Sequence, residues 1–256
     1  MFTDTHSHIH FSNEFPDIEQ IILRAQESKV SRQIIVGCTP HDSLVALEFV
    51  KKYADKNFWS TLGVHPHNAD ECTEDILKKF TQIVQENSKI VAIGEIGLDY
   101  FRNLQPKDLQ QNAFRKQLEL ALKLNLPVVV HIRDAWDDAL EIMKSVGNTK
   151  VILHCFTGQI EQAKIAWASG YYLSFSGVLT YPKNDYLREI AAQSPADKVL
   201  IETDCPYLTP QPYRGKRNEP AFVVETAKEL AKVRNISLDD AANLTTENAK
   251  TIFGIS

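Results

Sequence analysis

Short apolar runs alternate with longer amphipathic ones along the whole chain. Residues 2–6, 33–37, 58–64, 90–95, 127–131, 150–154, 171–176 and 198–204 read as strands, being short, apolar and rich in β-branched side chains. Residues 18–28, 43–53, 76–86, 109–124, 136–146, 160–168 and 187–193 read as helices, with apolar positions three and four apart, as in Phe114, Leu118, Ala121 and Leu122. Two further helices, 222–233 and 238–252, end the chain, and Ser237 three residues before Asp240 has the spacing of a capping box. Strands alternating with helices predict βαβ units and a parallel sheet, and eight strands suffice to close a barrel. An open doubly wound sheet is the alternative. It lacks support, because no Gly-x-Gly-x-x-Gly follows the first strand and polar residues end many strands rather than one crevice. The expectation is an α/β protein, a single (β/α)8 TIM barrel with an extra C-terminal helix, residues 1–256 forming one domain.

Composition narrows the class. A length of 256 residues is close to the ~250 typical of such a barrel. No segment approaches the ~20 apolar residues needed to span a bilayer. The start, Met1-Phe2-Thr3-Asp4, has neither the basic nor the apolar part of a signal peptide, so the expected compartment is the cytoplasm. Cys38, Cys72, Cys155 and Cys205 are far apart with no Cys-x-x-Cys, which points to reduced thiols. A net charge of -5 offers no general attraction to a polyanion, so any nucleic acid must be gripped locally.

The histidines carry the chemistry. His6 and His8, one residue apart at the end of the first strand, project to one face and can share a cation. His65, His131 and His154 also fall at or just beyond predicted strand ends, and His67 follows His65; Glu95 and Asp204 end the fourth and eighth strands. Barrel enzymes place their chemistry at this end, where the βα loops converge. One strand-end histidine is more often a satisfied core or loop residue than a ligand. Several at one mouth would leave lone pairs and acids unpaired unless a cation satisfies both. Six candidates exceed one tetrahedral site, so two ions fit better: His6, His8 and Asp204 on one, His131 and His154 on the other, Glu95 bridging. The same barrel logic exists with a carbamylated lysine as the bridge, as in amidohydrolases and phosphotriesterases; here that strand ends Ala92-Ile93-Gly94-Glu95, which weakens an amidase reading without excluding it.

The chain resembles the TatD family of metal-dependent deoxyribonucleases over essentially its whole length. The resemblance rests on Asp4-Thr5-His6-Ser7-His8, Gly63-Val64-His65-Pro66-His67, Gly94-Glu95-Ile96-Gly97-Leu98-Asp99-Tyr100, His131-Ile132-Arg133, His154-Cys155-Phe156-Thr157-Gly158, Glu202-Thr203-Asp204-Cys205-Pro206-Tyr207-Leu208 and Arg214-Gly215-Lys216-Arg217-Asn218-Glu219-Pro220. It implies a (β/α)8 barrel and phosphodiester cleavage of DNA with 3′ to 5′ exonuclease action. It also implies metal ligation by His6, His8, Glu95, His131, His154 and Asp204, with His65 near the scissile phosphate.

The expected cofactors are two divalent ions, zinc, magnesium or manganese. Asp204 is the best-placed acid to take a proton from the attacking water, with Glu95 and His65 as further catalytic candidates. Substrate-binding candidates are His65, Arg133, Arg214 and Arg217, the last two with Lys216 in the irregular segment 207–220. The plainer alternatives are a solvated basic loop and an Arg133 paired with Asp134 or Asp137. Tyr100, Phe101, Tyr207 and Tyr213 are candidates to stack on bases or, equally, to pack. Asp4 and Glu202 share strand parity with ligands and could fix a histidine tautomer or, equally, pair a buried Arg or Lys, whereas Cys155 and Cys205 should face away. The expected partner is DNA, as short single-stranded ends, with no membrane and no obligate protein partner. The alternatives are hydrolysis of an amide or aminoacyl-tRNA ester by the same metals, and an inactive nucleic-acid- or metal-binding barrel.

Overall fold

The computed structural model describes residues 1–147 and 150–256. Eight strands, β1 (Phe2–Ser7), β2 (Val30–Ile35), β3 (Asn57–Leu62), β4 (Ile90–Asp99), β5 (Val128–Arg133), β6 (Val151–Leu153), β7 (Tyr172–Phe175) and β8 (Val199–Ile201), pair in parallel in sequence order. Two backbone bonds join the last to the first just past β8: Asp204 N–H donates to His6 O and His8 N–H to Cys205 O, both at 2.9 Å. The ring that results is the expected (β/α)8 barrel.

Helices α1 (Ile18–Glu27), α2 (Pro40–Lys52), α3 (Glu74–Glu86), α4 (Lys107–Leu124), α5 (Trp136–Val146), α6 (Ile160–Ala168), α7 (Asp185–Gln193) and α8 (Val223–Arg234) follow the strands, and α9 (Leu238–Phe253) is the extra one. Helix α2 begins three residues before its expected start. Thr39 caps it by accepting from Asp42 N–H, and Pro40, at N1, gives up no bond there. Ser237 caps α9 in the same way.

The apolar layers follow from strand alternation. One set of strand side chains, including Ile93, Val130, Leu153, Leu173 and Ile201, packs against helix residues such as Phe114, Leu118 and Leu187. A second set, including Ile34, Trp59, Val129, Ile152 and Leu200, packs with Ala249, Ile252 and Phe253 of α9. Helix α9 is pinned across the strand starts: Asn248 Nδ2 donates to Ala196 O and Val199 O at 2.7 and 2.8 Å, and Thr246 Oγ1 to Met1 O at 3.1 Å. That end of the barrel is sealed by apolar side chains, each worth about 1.5–3 kcal/mol when fully buried. The other end is left for chemistry.

Two strands depart from regular pairing there. The β1–β2 register shifts between Asp4 and Ser7, and the β4–β5 register between Ile93 and Ile96. Bulges of this kind re-aim a side chain, and these two bracket His6 and Glu95. Among the described residues, no helix is long and apolar enough to cross a membrane.

Candidate metal centre

The bulge in β1 and the closure with β8 bring three groups together. His6 Nε2 and His8 Nε2 lie 3.2 Å apart, and Asp204 Oδ1 is 3.6 and 3.5 Å from them. Asp204 takes a positive φ of 58°, a strained backbone for a residue with a Cβ, and the bond from its N–H to His6 O helps to hold it. Glu95 Oε2 faces the same group, 3.4 Å from His6 Nε2.

The other oxygen of Glu95 faces a second group. His131 Nδ1 and His154 Nε2 are each 3.0 Å from Glu95 Oε1 and 3.4 Å from one another, and His65 Nε2 is 3.4 Å from the same oxygen. His6 is 0 % exposed, and His8, Glu95, His154 and His65 are all buried. The other five side chains expected to hold metal therefore gather around the Glu95 carboxylate, with His65 beside them.

The donor set fits divalent cations. His8 Nδ1 donates to Val36 O at 2.9 Å, and His154 Nδ1 to Glu202 Oε1 at 3.1 Å. Each bond keeps the proton on the far nitrogen and aims the near lone pair inward. Asp99 Oδ2 lies 3.4 Å from His131 Nε2, within reach of its charge, and is bonded to His67 Nε2 at 2.7 Å. Lone pairs aimed at carboxylate oxygens about 3 Å away repel unless a positive charge lies between. Groups of His6, His8 and Asp204, of His6, Glu95 and His154, and of His65, Glu95 and His131 each bring their ligand atoms within 4.8 Å. Burial pushes the Glu95 carboxyl up, but the imidazoles of His154, His65 and His131 more than reverse this and hold it well below the usual carboxylate range. Burial pushes His65 down to about 4 against the pull of Glu95, so its imidazole is neutral near pH 7. His65 Nδ1 accepts from His67 N–H at 3.2 Å, which leaves the proton on Nε2, facing the centre.

Several expectations need correcting. Glu95 does not end its strand: β4 runs on to Asp99 by pairing Ile96 to Asp99 with Val130 to Arg133. Asp204 and His154 lie in loops, because β8 stops at Ile201 and β6 at Leu153. Cys155 does not face away. Strand parity has lapsed there, φ is 42°, and the thiol lines the mouth with Sγ 3.2 Å from Ser176 Oγ. Cys205 does turn away, buried among Ile9, Phe15 and Ile21. Glu202 contacts a ligand ring as expected, but Asp4 does not: it accepts from Thr203 N–H at 2.9 Å, Thr203 Oγ1 at 2.6 Å and His6 N–H at 3.3 Å.

The mouth is a cavity of about 810 Å³ whose walls include Phe11, Cys38, Arg102, Leu104, Arg133 and Tyr207. Arg133 lies over the Phe101 ring, 3.9 Å from its centroid, rather than pairing with Asp134 or Asp137. Neither Arg214 nor Arg217 lines this cavity. Arg214 bonds Tyr181 Oη at 2.7 Å; Arg217 bonds Glu14 O and, at 2.8 Å, Asp17. Phe101 and Tyr207 are exposed at the rim. Tyr100 is tied to Asp138 at 2.6 Å, and Tyr213 is stacked on Phe222 at 4.0 Å. Asp99, Arg102 and Cys38 were not singled out from the sequence. Asp99 stands inside the Gly94-to-Tyr100 motif, and its parity with Glu95 was the available signal.

A family model described as TatD related DNase matches residues 3–254. The uncharacterized metal-dependent hydrolase YabD of Bacillus subtilis is 40% identical over 258 residues, covering 100% of both chains. The 3′-5′ ssDNA/RNA exonuclease TatD of Erwinia amylovora is 35% identical, covering 93% of this chain and 94% of its own. Among solved structures, the TatD homologue YJJV from Escherichia coli superimposes with a TM-score of 0.92 at 28% identity, covering 100% of this chain and 98% of that one. With that match running across the barrel and its ring of imidazoles and acids, the chain belongs to the TatD-related DNase family and is a metal-dependent hydrolase.

Proposed function

We propose that this protein is a 3′ to 5′ exonuclease that hydrolyses phosphodiester bonds at single-stranded DNA ends with two divalent cations, zinc, magnesium or manganese. The observation that carries this reading is the division of Glu95: Oε2 faces His6, which stands with His8 and Asp204, while Oε1 faces His131, His154 and His65. His6, His8 and Asp204 would hold one cation and His131 and His154 the other, with Glu95 facing both groups. The relative from Erwinia amylovora, named as a 3′-5′ exonuclease on single-stranded DNA and RNA, supports the bond and the polarity.

Cations bound there would polarise a phosphoryl oxygen and lower the pKa of water. The protein's own groups do the rest. Burial pushes the Asp204 carboxyl up, yet His8, His6 and His154 draw it below the usual carboxylate range. It is therefore ionised near pH 7, able to orient the attacking water and accept its proton. His65, neutral with its proton on Nε2, donates a hydrogen bond to a phosphoryl oxygen rather than acting as a strong acid. Arg133 and Arg102, which line the mouth, pair with neighbouring phosphates. Phe101 and Tyr207 offer their exposed faces to unstacked bases. Arg214 reaches the substrate only from the outer rim beside Tyr181, and Arg217 chiefly holds its loop against Asp17. With so few cationic contacts and a net charge of -5, binding stays local to an end. Four free thiols suit a cytoplasmic location.

The test is product analysis on single-stranded DNA labelled at either end, with metal-stripped protein reloaded with each ion. Mononucleotides released from the 3′ end, only after reloading, are expected. Hydrolysis of an amide or an aminoacyl-tRNA ester with DNA left intact would replace this reading by the other one.

A further inference from the structure

A thiol reaches into the centre that the TatD reading does not use. Cys38 follows β2, and its main chain is fixed at both ends: N–H donates to Asp42 Oδ2 at 2.8 Å, and O accepts from His65 N–H at 2.8 Å. Its Sγ lies 3.6 Å from Glu95 Oε2, the oxygen that also faces His6. His8, Cys38 and Glu95 bring one ligand atom each within 4.8 Å of one another, a grouping that shares His8 with the His6–His8–Asp204 set. Burial beside the carboxylates of Glu95 and Asp42 pushes the Cys38 thiol well up, so without a cation it keeps its proton.

The other three thiols are placed differently. Cys155 is engaged with Ser176, Cys72 is buried against Ala113 O at 3.8 Å, and Cys205 is buried behind the strands. Among the described residues, Cys38 is the cysteine whose sulfur stands with metal-ligating atoms.

We propose that Cys38 is a sulfur ligand to the cation on the β1/β8 side and biases that position toward zinc over magnesium. The inference rests on the cation-binding part of the reading above, not on the identity of the substrate. As the bond from Sγ to the cation forms, the thiol proton is released to solvent. Thiolate selects zinc and softer cations, whereas imidazole and carboxylate alone accept magnesium and manganese more readily. Here one side chain converts a nitrogen and oxygen set into a mixed set with sulfur.

Cobalt is a spectroscopic substitute for zinc. Metal-stripped full-length protein reloaded with cobalt should show visible ligand-field bands together with a near-ultraviolet sulfur-to-cobalt charge-transfer band. The charge-transfer band should persist in Cys155→Ser and vanish in Cys38→Ser, which keeps the visible bands. Zinc affinity in Cys38→Ser should fall by at least the roughly 10-fold that loss of an outer-shell partner typically costs, with magnesium affinity unchanged. A charge-transfer band missing from the unsubstituted protein, or surviving in Cys38→Ser, overturns the assignment. Should Cys38→Ser fail to fold, alkylation of the unsubstituted protein decides: bound zinc must shield Cys38 from iodoacetamide, and equal labelling with and without zinc overturns the proposal. Cobalt uptake without the sulfur band removes Cys38 alone, whereas the sulfur band without DNA cleavage removes the nuclease reading alone. No cobalt uptake removes both.

Discussion

The two sides of Glu95 are built on different plans. On the β1/β8 side, His6 and His8 stand with a carboxylate, Asp204, and His8 is oriented by a neutral backbone carbonyl. On the β5/β6 side, the nitrogens come from His131, His154 and His65, and the carboxylates stand one layer back as Glu202 and Asp99. The first side carries its negative charge among the inward-facing atoms, the second behind them. His131 is also 19 % exposed at its side chain, against 0 % for His6. A cation on the β1/β8 side should therefore be held more tightly, and one on the β5/β6 side should depend on charge transmitted through imidazoles.

Substitutions can break this comparison, beginning with the most severe. Glu95→Gln removes the charge both sides share; DNA cleavage should fall by more than about 10³-fold and bound metal per chain should drop, with an unchanged circular dichroism spectrum. Retention of both ions with full activity would remove the bridge. His65→Ala should leave both ions in place, as counted by elemental analysis, while kcat falls about 10²–10³-fold, the loss typical of one donor to developing charge. If an ion leaves with His65, that imidazole belongs to the β5/β6 ligand set instead.

Subtler changes sharpen the asymmetry. Glu202→Gln keeps an acceptor for His154 Nδ1 but removes the charge behind it, so one cation of the pair should bind about 10-fold more weakly in titration calorimetry. Equal weakening of both would mean that the sides are not distinct. Smallest of all, Arg133→Ala should raise KM and reduce the salt slope of DNA binding by about 1, whereas Arg217→Ala should leave KM alone and cost about 0–1 kcal/mol in chemical denaturation. An effect of Arg217→Ala on KM would return the loop after β8 to the substrate.

The alternation of strands and helices, the eightfold count and the added C-terminal helix were legible from the spacing of apolar residues alone. So was the ring of His6, His8, Glu95, His131, His154 and Asp204, because a parallel barrel sends every strand end to one mouth whatever the register of each pair. Periodicity could not give the bulges at His6 and Glu95, the extension of β4 to Asp99, or the loop conformation that swings Cys155 into the mouth. These depend on which neighbour each strand finds and where pairing stops. Nor could it separate Arg133, which stays at the mouth over Phe101, from Arg217, which is drawn aside by Asp17. A cationic side chain is long enough to serve either purpose, and the nearest carboxylate in space settles which. Local pattern thus determined that acids and imidazoles meet at one end of a barrel; only the closed tertiary structure decided which oxygen of Glu95 faces which nitrogens, because those distances are fixed between strands far apart in the chain.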